Sequence, residues 1–135
     1  LDPDARKRAE DVASRFAQAM NARTWQTSRQ QWREALAPTV SPELLKTLDV
    51  DRDWESDAQH RFVQAKASTS VQVLESRAQT VQGERVDVAL MVATETTGED
   101  PWVTAPRTER PMTVVVDTTQ NRVVEQIDMT PHGGL

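Results

Sequence analysis

Helices gathered in the first third and alternating strands in the second half predict an α+β domain. It has one long N-terminal helix and two short helices packed on a curved antiparallel sheet of about four strands. Three observations predict this. Apolar residues recur every three or four positions from Ala9 to Met20; from Val71 onward the period becomes two; and the alternating runs are divided by turn-forming stretches at Gln82-Gly83 and Asp117 to Asn121.

The first helix opens at Asp2-Pro3, an N-cap followed by proline where the missing donor costs nothing. Ala9, Val12, Ala13, Phe16, Ala19 and Met20 form one apolar stripe over about four turns, and Arg6, Lys7, Glu10, Asp11, Arg15 and Gln18 face away. A second helix begins at Thr27 or Ser28, with Gln30 or Gln31 three residues on to complete a capping box. Trp32, Ala35 and Leu36 are its apolar face and Pro38 stops it. Ser41-Pro42 starts a third helix of barely two turns, with Glu43 favouring its dipole and Leu44, Leu45 and Leu48 turned inward.

The run from Asp49 to Asp57 reads as a solvated acidic connector. Val71 and Val73 open the first strand, and a tight hairpin at Gln82-Gly83 leads to Val86, Val88, Leu90 and Val92. A long loop, Thr97 to Arg107, precedes a strand through Met112, Val114 and Val116. The last strand carries Val123, Val124, Ile127 and Met129. Residues 1–130 thus read as a single domain, and 131–135 as a flexible tail.

At 135 residues the chain can bury a sizeable core without metal or disulfide staples. It has no cysteine, which excludes thiol catalysis, disulfides and cysteine-ligated metal, and suits life outside the cytoplasm. Its net charge of −5 argues against nucleic acid as a partner, because phosphate neutralisation needs a basic field. No stretch approaches the 18 apolar residues of a membrane span. Opening at Leu1 rather than methionine, the sequence reads as a trimmed or mature chain.

The order of elements resembles the nuclear-transport-factor-2-like fold, in which helices and a strongly curved sheet enclose a cone with a pocket inside. A narrower likeness lies in Phe16-Ala17-Gln18-Ala19-Met20, Trp32-Arg33-Glu34-Ala35-Leu36-Ala37-Pro38 and Ser41-Pro42-Glu43-Leu44. This succession resembles the extracytoplasmic domains of conjugation proteins of Gram-positive bacteria, actinobacteria among them, of the TcpC type, and the inner-membrane assembly component of type IV secretion systems. The resemblance implies a non-catalytic assembly domain outside the cell membrane, held by an anchor upstream of Leu1. Its partners would be other components of a membrane-associated complex or further copies of itself.

Candidate chemistry is sparse. Enzymes of the ketosteroid-isomerase type on this fold need a buried base and an oxyanion donor, and this chain has no tyrosine. The only histidines are His60, in a polar connector, and His132, in the glycine-rich tail. Strand carboxylates such as Asp87, Glu95 and Glu125 are the candidates for an inward-facing base, but alternation turns Asp87 away from the face that Val86 and Val88 occupy. A small-ligand or isomerase-like use of the cone is the alternative to a docking role, with Phe16, Met20 and Trp32 as candidate lining.

The run from Asp49 fails as a calcium loop, since Trp54 stands where the sharp turn needs glycine and His60 where a bidentate glutamate belongs. No cofactor and no metal is expected. Trp102, in a loop with Asp100 and Pro101, is the candidate partner contact, because aromatics are enriched at binding hot spots; the other reading folds it back over the sheet edge. Arg6, Lys7, Arg8, Arg15, Arg23, Arg29 and Arg33 crowd the helical third, where a solvated face is the default account and attraction to an anionic surface the other.

Overall fold

The computed structural model describes residues 2–127. Its sheet has five antiparallel strands in sequential order: β1 (Arg23–Thr24), β2 (Ser68–Gln82), β3 (Arg85–Thr97), β4 (Ala105–Asp117) and β5 (Arg122–Ile127). Register shifts in β2, at the far end of the β3–β4 pair and between β4 and β5 each place an extra residue in one strand. Such bulges bend a strand and raise its twist, which curls the sheet around the helices.

Helix α1 (Pro3–Asn21) starts where Asp2 accepts the Ala5 amide at 2.8 Å. It lies across β2 and β3 with Ala9, Val12, Ala13, Phe16 and Ala17 buried, while Ala19 and Met20 are half-buried at its end. The opposing sheet face supplies Val86, Val88, Val114, Val116 and Val123, all fully buried. Helix α2 (Arg29–Leu36) is closed by a capping box in which Ser28 and Gln31 exchange both hydrogen bonds. Trp32 and Leu36 enter the core, whereas Ala35, expected beside them, is exposed. A 3-10 turn (Ala37–Thr39) carries Pro38 and delivers the chain to β5, where the Ser41 amide donates to the Val123 carbonyl.

Four expectations need correction. Helix α3 (Pro42–Arg52) runs three turns, not two, because its last turn contains Asp49, which is buried rather than solvated. A fourth helix, α4 (Asp57–Gln64), occupies ground read as connector; Ser56 caps it by accepting from the Gln59 amide, and Phe62 anchors it. Strand β1 is an additional two-residue element, paired with Ser68 and Thr69. The β3–β4 loop is shorter than Thr97 to Arg107, because Pro106 and Pro111 lie within β4. Both sit in the half of β4 that β5 does not reach, so their missing N–H groups leave no ladder partner unmet on that side.

The β2–β3 connection is a two-residue turn, Gly83 and Glu84, in which Gly83 has φ +63°. The β4–β5 turn is organised by buried Asp117, which accepts from the Thr119 and Gln120 amides. Met129 and the tail at 131–135 lie outside the described residues.

Candidate functional site

Two regions stand out, a charged cleft at the mouth of the sheet and the tip of the β3–β4 hairpin. Behind the cleft sits Asp49, which is 4% exposed and does not line it. A carboxylate taken out of water needs its lone pairs filled. Arg29 donates from Nε to both carboxylate oxygens, at 3.0 and 3.2 Å, and from Nη2 to Oδ2; Arg33 Nη1 donates at 2.6 Å and Trp54 Nε1 at 3.1 Å. The Arg29 hydrogen bond, with its charge and the bonds from Trp54 and Arg33 behind it, holds the Asp49 carboxyl below the usual range against the opposing effect of desolvation. Asp49 is therefore a staple between α2 and α3. Arg29 and Arg33 are its partners and not part of a free basic face.

Trp54, fixed by Asp49, meets Trp32 edge-on with ring centroids 5.7 Å apart. Arg52, the last residue of α3, lays its guanidinium 3.9 Å from the Trp54 ring centroid and 5.0 Å from that of Trp32. Across the cleft Arg23 lies 3.8 Å from the centroid of the Phe62 ring on α4. Burial, and after it the positive charge of Arg23, brings the Arg52 guanidinium down to about 10, which leaves it charged at neutral pH. Burial lowers Arg23 as well.

Arg52 and Arg23 border a cleft of about 360 Å³ with Met20, Trp32 and Leu48 on its apolar side and Asp51 at its rim. Of the candidate lining residues, Met20 and Trp32 face this cleft, whereas Phe16 is fully buried in the core between α1 and the sheet. Asp51 is exposed, as are His60, Glu95 and Glu125, and Asp87 is half-buried with its neighbours Val86 and Val88 buried on the helix side. Among the described residues no histidine and no buried carboxylate borders the cleft. What converges there are donors and positive charge, which suit binding an anion rather than abstracting a proton.

A second hollow, of about 320 Å³, lies further along the sheet between Asn21, Thr94, Arg110 and Ile127.

The other region is the loop between β3 and β4. Asp100 accepts the Trp102 amide at 2.9 Å, the Val103 amide reaches the Asp100 carbonyl, and Thr104 Oγ1 donates to the Pro101 carbonyl. These bonds order the loop and leave Trp102 94% exposed, beside a shallow hollow with Phe62, Arg61 and Val103. The loop base is tight: a Cβ on Gly98 would stand 3.2 Å from the Ala65 carbonyl oxygen.

The sequence pattern gives no sign of the Arg52–Trp54–Trp32 stack or of Arg23 as its opposite number. The one local signal was the Ser56 cap with Gln59 three residues on, which places α4 and hence Phe62 beneath Arg23.

The sequence matches no protein-family model and no curated protein. Solved structures share the fold. CagV, a VirB8 homolog of the type IV secretion system of Helicobacter pylori, aligns with a TM-score of 0.64 at 11% identity, over 92% of this chain and 99% of that one. TraH of the Gram-positive conjugative plasmid pIP501 aligns at 0.60 with 6% identity, over 94% and 95%. The intermembrane space region of the chloroplast protein ARC6 aligns at 0.59 with 15% identity, over 94% and 95%. The chain therefore has the fold found in components of secretion and conjugation machinery, and none of its described helices is long and apolar enough to cross a membrane.

Proposed function

We propose that this chain is a non-catalytic assembly domain of a bacterial conjugation or secretion apparatus. In this reading residues 1–130 form one domain of the nuclear-transport-factor-2-like kind, outside the cell membrane and anchored by a segment upstream of Leu1. It works by protein–protein contact with other components of a membrane-associated complex or with its own copies. The single observation that carries the reading is Trp102. A tryptophan held in solvent at the tip of a hydrogen-bonded loop is the residue type enriched at binding hot spots, and a preordered loop loses little entropy on docking.

Support comes also from the fold shared with CagV and TraH over almost the whole of each chain. The cleft fits it as well: among the described residues its borders carry arginines, which suit holding an anion better than taking a proton. The test is complementation. A strain deleted for the native gene and supplied with the Trp102→Ala protein should show reduced plasmid or substrate transfer at unchanged protein level. Transfer at the wild-type rate, or a protein found entirely in the cytoplasm, would count against the reading.

A further inference from the structure

Among the described residues, two buried side-chain donors have no acceptor, Trp32 Nε1 and Arg52 Nε. Both belong to residues bordering the same cleft. Buried donors are almost always satisfied, and one left bare is an unexplained cost. The contrast with Asp49 is direct. Three residues before Arg52, that buried charge is saturated by three neighbours, while Arg52 has no carboxylate within ion-pair distance among the described residues. Arg23 has none either; its one polar contact is a long bond of 3.5 Å to Gln59.

Two guanidinium groups are thus held in place by aromatic faces and not by acids. Stacking fixes the plane of a guanidinium while leaving its edge, where the N–H donors lie, free for an incoming group. The Arg23 and Arg52 charges repel one another, Asp49 offsets only part of this for Arg52, and an anion bound between the two arginines relieves the repulsion. Met20, Leu48 and the Trp32 ring give the wall an apolar side, and Asn21, Thr69 and Thr94 a polar one.

We propose that this cleft binds a carboxylate carried on a short apolar body, with Arg52 and Arg23 gripping the carboxylate and Trp32, Met20 and Leu48 packing against the body. A carboxylate is favoured over phosphate by two features. The side formed by Met20, Leu48 and Trp32 gains nothing from a fully polar ion, and Asp51 at the rim penalises a second negative charge. The carboxylate can come from a free organic acid or from an acidic side chain of a partner polypeptide. The site is independent of the docking role of Trp102, so its failure would leave that reading untouched.

The test is a titration of the whole chain followed by the NMR signals of the Trp32 indole N–H and the Arg52 Nε–H. The probes are phenylacetate, its neutral isostere phenylacetamide, inorganic phosphate, and a blocked Leu-Glu-Leu peptide. Phenylacetate should shift both signals with a dissociation constant of about 1 mM or tighter, with phenylacetamide and phosphate at least about tenfold weaker. A peptide that binds more tightly than phenylacetate points to a partner's side chain as the source, and the reverse order to a free acid. Arg52→Lys and Arg23→Lys keep the charge but lose the planar fork, and each should weaken phenylacetate about tenfold with the melting temperature nearly unchanged. Asp51→Asn, at an exposed position, should narrow the gap between phosphate and phenylacetate. The proposal is overturned if the acid and the amide bind alike, if neither shifts the two signals, or if both lysine variants bind as the wild type does.

Discussion

Glu10 of α1 reaches across to β2, where its Oε2 accepts the Ala78 backbone amide at 2.8 Å. The bond falls at the β2 bulge between Ala78 and Thr80, on the strand edge left open by β1, which pairs only with Ser68 and Thr69. Ser76 Oγ donates to the Glu10 carbonyl at 2.7 Å, so one helical residue satisfies two groups along an otherwise unpaired strand edge. This contact closes the sheet's open side and fixes how α1 crosses it.

Removing that acceptor tests the arrangement. Glu10→Ala should cost about 1–3 kcal/mol, because it strips a charge-assisted bond from a backbone N–H. Hydrogen exchange at the Ala78 amide should accelerate more than exchange in β3. Equal protection at both sites would mean that water replaces the carboxylate without loss.

Phe16 is fully buried between α1 and the curled sheet. Phe16→Ala should lower unfolding free energy by about 3–5 kcal/mol, measured by urea denaturation. Phe16→Leu, which conserves most of the volume, should cost much less.

Asp49 imposes a pH dependence whose sign follows from its partners. Its carboxyl is held below the ordinary value, first by the Arg29 hydrogen bond, so the folded state favours the charged form more than the unfolded state does. The resulting stability is complete above about pH 4, the unfolded value, and is lost as pH falls through the lower folded value. Asp49→Asn should therefore be destabilised by roughly 1–3 kcal/mol at pH 7 and should converge on the wild type in strong acid. Thermal melts at a series of pH values check both statements.

Much of the helical framework was legible in the sequence because its signals are local. Asp2 with Pro3, Ser28 with Gln31 and Ser41 with Pro42 mark helix starts through bonds made within three residues. The alternation from Val86 to Val92 marks β3 for the same reason. What escaped was long-range. Asp49 looked solvated because its partners Arg29 and Arg33 lie 20 and 16 residues upstream. Two-residue β1 is too short for any period, and it exists because Ser68 and Thr69 are there to pair with it. The cleft escaped too, since it depends on Arg23 and Arg52 meeting across the fold, each over an aromatic ring from another part of the chain or the next turn. Trp102, by contrast, stood out beside Asp100 and Pro101 as a loop residue, and the loop holds it in solvent.

The docking role rests on that side chain. A photo-crosslinking amino acid placed at position 102 in the native host, with the exposed β2 position Gln79 as control, reads the contact directly. An assembly domain should yield a discrete adduct from position 102, absent at 79, with an envelope component of the transfer apparatus or with a second copy of the chain. Equal labelling from both positions, or adducts only with cytoplasmic proteins, would contradict it.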